Sequence, residues 1–160
     1  MRTRNLVAGI AVLFALVTLA ATANAQGKEP WTGTWKLNLA KSTYTPGPPA
    51  KSLSVTITAP NGGIKQVVDT VPATGAALQW EATGMFDSKD VPVKGNPNAD
   101  TQAFKKISDR SYEVTAKKGG KTMQVSVVVI SADGKTRTNT QTGTTADGKP
   151  MKNVLVYDRQ

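Results

Sequence analysis

The sequence predicts an all-β fold in which roughly eight to ten strands follow one another as a single antiparallel meander. Three observations indicate this fold. Apolar and polar residues alternate with a period of two in several segments, glycine-rich turn motifs separate these segments, and no segment after residue 25 has the apolar period of a helix. A meander of this length pairs its edge strands by closing into a barrel or by folding into a sandwich.

Residues 1–25 have the features of a secretory signal peptide, which we expect to begin as a helix. Two arginines precede an apolar run over 6–20, and the small-residue motif Ala-Asn-Ala follows at 23–25. An uncleaved membrane anchor is the alternative, since a spanning helix needs about 20 apolar residues. The polar residues that come next favour cleavage. We therefore expect a single mature domain over 26–160, without an integral membrane segment, in the periplasm or secreted.

The predicted strands begin with three short alternating segments. Residues 52–59, 78–83 and 111–117 each place apolar side chains on one face, with Trp80 and Tyr112 among them. Turn motifs separate the strands, mostly as Asn-Gly, Gly-Gly or Asp-Gly pairs, which supply the positive φ of tight hairpin turns. These motifs lie at residues 60–63, 95–100, 117–120, 132–135 and 146–149.

Two of the later strands are the most apolar. The segment at 122–131 is the longest, and four of its residues share one face: Met123, Val125, Val127 and Val129. Its last residues are apolar on both faces. The final strand, at 152–159, places Leu155 and Tyr157 on one face. Both segments are therefore predicted to pack against a core.

The strand between them, at 136–144, is polar on both faces. Threonines occupy one face, while Arg137, Asn139 and Gln141 occupy the other. A dry core could not hold such a strand, because each buried amide or guanidinium needs a hydrogen-bonding partner. Two interpretations stay open at this point: an exposed edge strand, or a strand that lines a water-containing cavity.

The composition limits the chemistry and the partners of the domain. The chain has 20 basic and 11 acidic residues, and cleavage after residue 25 would leave 18 and 11, a net charge of +7. The lysines are spread over strand edges and loop tips, which argues against nucleic-acid binding and leaves weak attraction to anionic envelope surfaces as an option. There is no cysteine, so stability must come from packing and backbone pairing.

The two ends of the predicted domain carry motifs that occur together in one superfamily. A G-x-W motif at 33–35 heads the meander, and Tyr-Asp-Arg at 157–159 ends it. This pattern resembles the calycins, which comprise the lipocalins, the fatty-acid-binding proteins and the avidins. The resemblance implies a closed, lipocalin-like barrel. It also implies a structural clasp of Gly33, Trp35 and Arg159, in which the arginine packs across the tryptophan through a cation–π contact.

The ligand-anchoring pattern of the fatty-acid-binding proteins does not carry over. Those proteins usually have an arginine two residues before the final tyrosine and another basic residue two strands earlier. Here Leu155 stands at the first position, and the strand at 122–131 has no basic residue. Arg137 would have to supply the charge from the polar strand, beside the hydroxyl of Tyr157. A biotin site is not expected, because the avidin spacing is not kept.

Two non-catalytic functions follow as expectations for a monomeric protein. The first is an exported barrel that binds a small apolar or amphiphilic molecule, a hydrophobic ligand for example, in its interior. The residues expected to line that interior are Trp80, Tyr112, Met123, Arg137, Asn139, Gln141, Leu155 and Tyr157. The same aromatic residues would otherwise fill a dry core. The second function is a cell-envelope binding or structural module that acts through its basic surface.

An enzyme is not expected. The chain has no histidine to serve as a base, metal ligand or haem ligand, and it has no cysteine nucleophile. It also lacks a G-x-S-x-G elbow and a glycine-rich phosphate loop. Asp87, Asp90 and Asp100 do not have the spacing of a calcium loop and are interpreted as turn formers. We therefore expect neither a cofactor nor a bound metal.

Overall fold

The computed structural model describes residues 29–145 and 147–160. Its ten strands pair antiparallel in chain order, and the first strand also pairs with the last, so that the sheet closes into a barrel. The predicted all-β antiparallel barrel is confirmed. The predicted signal peptide, residues 1–25, lies outside the described residues. Within the described part of the chain, no helix has the length and apolar character that a membrane crossing requires.

The strands are numbered in chain order. They are β1 (Gly33–Leu37), β2 (Ser52–Thr58), β3 (Ile64–Val71), β4 (Leu78–Gly84), β5 (Val91–Lys94), β6 (Thr101–Ser108), β7 (Ser111–Lys118), β8 (Lys121–Ile130), β9 (Thr136–Thr144) and β10 (Pro150–Arg159). Short 3-10 turns lie at Leu39–Lys41 and Pro60–Gly62. The six segments singled out from their alternation correspond to β2, β4, β7, β8, β9 and β10. Strand β5 begins directly after Asp90, one of the aspartates interpreted as turn formers, and ends before the predicted turn at 95–100.

Strand β1 closes the barrel because it pairs on both of its edges. It pairs with β10 from Trp35 opposite Arg159 to Leu37 opposite Tyr157, and it pairs with β2 along its other edge. Successive side chains of a strand point to opposite faces, so Trp35 and Leu37 both point inward, where they are buried. Closure leaves the sheet without a free edge.

The guanidinium of Arg159 ties the chain ends together at this junction. Its Cζ lies 4.1 Å from the centroid of the Trp35 ring. Its three nitrogens also donate hydrogen bonds of 2.5 to 2.6 Å to backbone carbonyls of Pro30, Thr32 and Gly134. A charged donor makes each of these bonds stronger than a neutral one. One side chain therefore joins β10 to the segment before β1 and to the β8–β9 turn.

The geometry of the clasp explains why residue 33 is a glycine. Gly33 has a φ angle of +125°, a backbone conformation that residues other than glycine rarely adopt. A Cβ at this position would lie 2.7 Å from Nη1 of Arg159. The indole Nε1 of Trp35 donates a hydrogen bond of 2.9 Å to the carbonyl of Trp31. The chain therefore folds back over the end of the barrel immediately before β1.

Four aromatic residues, Trp31, Phe86, Phe104 and Tyr112, fill the barrel beside the clasp, and we call them the aromatic plug. Phe86 contacts the other three edge-on, with ring centroids 5.2 Å from Trp31, 5.8 Å from Tyr112 and 6.5 Å from Phe104. Edge-to-face packing at these distances is favourable beyond the area that it buries. The plug fills this end of the barrel with packed aromatic side chains.

The inward face of β8 differs from the one that its apolar pattern suggested. Ser126, Val128 and Ile130 point inward and are buried, whereas Val127 and Val129 are exposed by 36% and 47%. The far end of this strand is apolar on both faces, so its periodicity alone could not decide which face meets the core. Four residues were expected to share a face, namely Met123, Val125, Val127 and Val129. Met123 does not, because it borders the interior of the barrel.

A bulge causes this departure. On β7 and β8 the register shifts, so that Ala116 pairs with Gln124 and the next residue, Lys117, pairs with Thr122. Met123 is therefore the extra residue, and the alternation of side chains breaks beside it. As a result, Met123 and Gln124 both border the interior cavity.

Replacement of Arg159 by methionine is expected to lower the free energy of unfolding by about 2 to 4 kcal/mol, because three backbone carbonyls lose charged donors. Urea denaturation followed by tryptophan fluorescence measures this change. Arg110→Met, in the exposed β6–β7 turn, is the matched control and is expected to change stability by less than about 0.5 kcal/mol. Equal effects of the two substitutions would contradict the role of the clasp.

Candidate functional site

A cavity of about 580 Å³ occupies the barrel on the far side of the aromatic plug. The β5–β6 loop, residues 96–99, borders it at the end opposite the clasp, together with Lys118, Thr144, Thr145 and Met151. Because successive hairpin turns alternate between the two ends of an antiparallel barrel, the turns at this end form the rim of the cavity. The clasp and the plug close the other end.

The two sides of the cavity differ in chemistry. Strands β2 to β4 contribute an apolar wall of Leu53, Val55, Val68 and Trp80. Strands β8 and β9 contribute a polar wall of Gln124, Ser126, Arg137, Asn139 and Gln141. In a closed barrel of ten strands, β3 and β8 are separated by five steps in either direction, so these walls face each other across the interior.

Carboxamides on other strands add to the polar lining. The Nε2 of Gln66 on β3 donates a hydrogen bond of 2.6 Å to Oε1 of Gln102 on β6. On the polar wall, Gln124 donates to Ser126 at 2.7 Å, and Gln141 accepts a hydrogen bond of 3.2 Å from the buried Asn153. These bonds satisfy part of the buried polar surface and hold the amides in place.

Arg137 has no such hydrogen bond at two of its nitrogens. Its side chain is only 3% exposed, and its Cζ lies 4.7 Å from the centroid of the Tyr157 ring on the adjacent strand β10. Nε and Nη1 are buried, and neither has a hydrogen-bond acceptor in the described part of the chain. Burial disfavours the charged form of Arg137, but the neighbouring hydroxyls of Tyr112 and Tyr157 act in the opposite direction and raise its pKa. Neither hydroxyl accepts a hydrogen bond from Nε or Nη1, so these two donors stay without a partner among the described residues.

The charge of Arg137 also has no counterion inside the barrel. All 11 acidic residues of the chain lie in the described ranges, and none of them is buried. Asp158 follows Tyr157 directly but points outward, where it accepts a hydrogen bond of 2.6 Å from Asn38 and pairs with Lys41 at 3.4 Å. Strand alternation thus puts the carboxylate next to Tyr157 on the outer face of the sheet.

Tyrosine hydroxyls lie around this cation. Burial raises the pKa of Tyr157 to about 12, and the neighbouring guanidinium of Arg137 acts in the opposite direction. The Tyr157 hydroxyl therefore keeps its proton at neutral pH and can donate a hydrogen bond. The hydroxyl of Tyr112 and the Oδ1 atom of Asn139 are buried without a partner in residues 29–145 and 147–160. Arg137 is thus surrounded by hydroxyl and amide groups, of which those of Tyr157 and Asn139 belong to residues that line the cavity.

The structure brings together most of the residues that the sequence proposed for a ligand site. Trp80, Arg137, Asn139, Gln141 and Tyr157 all line the cavity. The pairing of β9 with β10 places Arg137 directly opposite Tyr157, which explains why residues from two strands meet.

Two proposed residues lie elsewhere. Tyr112 is fully buried in the aromatic plug, and Leu155 is buried in the core at 3% exposure. Neither lines the cavity itself. The clasp residues Gly33, Trp35 and Arg159 lie at the closed end, away from the lining.

Sequence reasoning missed the polar residues on β3, β6 and β8. Gln66 lies between Ile64 and Val68 on the inward face of β3, and Ser126 precedes Val128 on the inward face of β8. A polar residue in phase with buried apolar neighbours is a signal that can be read from sequence, provided that the inward face is known. The bulge in β8 obscured that phase.

No protein-family model and no curated protein sequence matches this chain. The resemblance to the calycins therefore rests on the motifs at 33–35 and 157–159 and on the closed antiparallel barrel that joins them.

Replacement of Arg137 by methionine is expected to raise the free energy of unfolding of the ligand-free protein by about 1 to 3 kcal/mol, because it removes a buried charge without a counterion. The measurement is urea denaturation, with Arg159→Met as a comparison of the same chemistry and the opposite expected sign. A loss of stability in both variants would contradict this expectation and would show that Arg137 stabilises the fold.

The raised pKa of Tyr157 predicts a dependence of stability on alkaline pH. The folded state holds the phenolic proton more tightly than the unfolded state, so this contribution is complete below about pH 10 and is lost as the pH rises towards about 12. Absorbance titration of tyrosinate in the wild type and in Tyr157→Phe measures the folded-state pKa on which this dependence rests. The variant is expected to lack the late titration step, and an unchanged curve would contradict the assignment.

Proposed function

We propose that this protein is an exported, lipocalin-like barrel that binds a small amphiphilic molecule in its interior and acts by binding rather than by catalysis. The observation that carries the proposal is the cavity of about 580 Å³, in which an apolar wall faces a polar wall. This volume falls within the range of about 300 to 1,000 Å³ that is usual for ligand pockets.

The lining supports an amphiphilic ligand over a purely apolar one. Trp80 and Val68 offer apolar surface to the hydrocarbon part of a ligand. Arg137 and Asn139 on the opposite side are buried and have atoms without a hydrogen-bond partner among the described residues, which is costly unless a ligand supplies one. A ligand with one apolar and one polar part satisfies both walls at the same time.

The closed end of the barrel gives the site a fixed floor. The clasp and the aromatic plug consist of buried and partly buried side chains in contact with one another, whereas the rim of the cavity consists of the turns at the other end. A ligand would therefore enter between the turns, past residues 96–99. Loops of this kind are the usual place for variation in binding sites, since the strands below them keep the scaffold rigid.

A neutral fluorescent probe, N-phenylnaphthylamine, tests whether the barrel binds ligands. Val68→Phe fills part of the apolar wall and is expected to weaken binding by about tenfold or more. Val127→Phe makes the same change on the outer face of β8, where Val127 is 36% exposed, and is expected to leave the affinity unchanged. Equal affinities of the two variants, or no binding by the wild type, would contradict the proposal.

A further inference from the structure

We propose that the ligand of the cavity carries a single negative charge, of the carboxylate or sulfonate type, and that this group binds to Arg137 at the inner end of the barrel. The inference rests on the proposed function and adds the chemical class of the ligand to it. It follows from the one formal charge that the described residues place inside the barrel.

The first step is the cost of the buried cation. A buried guanidinium is unfavourable unless it is paired and hydrogen-bonded. Nε and Nη1 of Arg137 lack acceptors among residues 29–145 and 147–160, although the ring and the hydroxyl of Tyr157 lie beside the guanidinium. Since Arg137 also lines the cavity, a bound anion would reach it directly.

The second step is that the protein itself does not supply the anion. Arg159 shows the contrast, since all its nitrogens have carbonyl acceptors at 2.5 to 2.6 Å. The acidic residues beside the two tyrosines, Glu113 and Asp158, belong to the outer faces of β7 and β10 because of strand alternation. The counterion that Arg137 requires must therefore come from a molecule in the cavity.

The third step concerns the number of charges. Lys118 is the other basic residue that lines the cavity, but it lies at the rim and is paired with Asp100 at 2.7 Å. Around Arg137 the other polar groups are hydroxyls and an amide, those of Tyr112, Tyr157 and Asn139, and none is a second basic side chain. A group with two negative charges would leave one of them uncompensated in a buried site, so the geometry selects a single charge.

The orientation of the ligand follows from the strand register. Arg137 pairs with Tyr157 and Ile130 near the plug, whereas Gln141 pairs with Asn153 further towards the rim. The charged group therefore lies deep in the barrel, and the apolar part extends past Trp80 towards the turns. The apolar wall on β2 to β4 runs along this path.

The test compares dansyl-undecanoic acid with its methyl ester, which differ in the charge of one end. The wild type is expected to bind the acid at least about tenfold more tightly than the ester. Arg137→Met is expected to lose this preference through weaker binding of the acid, while it binds the ester within about threefold of the wild type. Arg137→Lys keeps the positive charge and is expected to retain part of the preference.

Arg110→Met is the matched control, because it removes an exposed arginine from the β6–β7 turn and should bind both probes as the wild type does. Competition with decanoate and decyl phosphate tests the number of charges, and decanoate is expected to displace the acid probe at a lower concentration.

The outcomes separate the two proposals. Equal affinity of the wild type for acid and ester would overturn the anion site while the binding function stands, and this comparison needs no folded variant. Unchanged binding of the acid by Arg137→Met would also overturn it, and equal competition by the phosphate would overturn the single charge. Failure of the wild type to bind either probe, or N-phenylnaphthylamine, would instead count against the proposed function.

Discussion

The pairing of β1 with β10 is the interaction on which the rest of the structure depends. Without it the sheet would have two free edges, and the cavity would be open along its whole length. Strand β1 has only five residues, so its own backbone bonds are few. Arg159 compensates for this by joining β10 to the segment before β1, and Gly33 leaves the space that the guanidinium occupies.

Arg159 at the closed end and Arg137 in the interior differ in their hydrogen bonding. Both stack on an aromatic ring, at 4.1 Å for Arg159 and 4.7 Å for Arg137. Each guanidinium nitrogen of Arg159 has a backbone acceptor, which favours stability. Nε and Nη1 of Arg137 have no acceptor among the described residues, so we expect Arg137 to lower stability. Binding residues often lower the stability of the ligand-free protein, because strain or unpaired charge is tolerated where function needs it.

Much of this arrangement could be predicted from the sequence where one face of a strand is clearly distinct. In β9 the period of two runs without a bulge, so Arg137, Asn139 and Gln141 were placed on one face correctly. In β8 the far end is apolar on both faces and a bulge precedes it, so the same rule did not give the inward side. Tyr112 alternates as an inward residue too, but only its neighbours in space decide that it belongs to the plug and not to the cavity.

The sequence by itself determined most of the strands, the faces of most of those and the clasp motifs, because these depend on neighbours within a few residues. It did not locate β3, β5 or β6. Only the tertiary structure decided that Gln66 meets Gln102 across the interior, that the apolar wall of β2 to β4 faces the polar wall of β8 and β9, and that Arg137 stands inside without a carboxylate. The physical reason is that closure of the barrel sets which strands lie opposite one another, and such distances are not encoded in any local pattern.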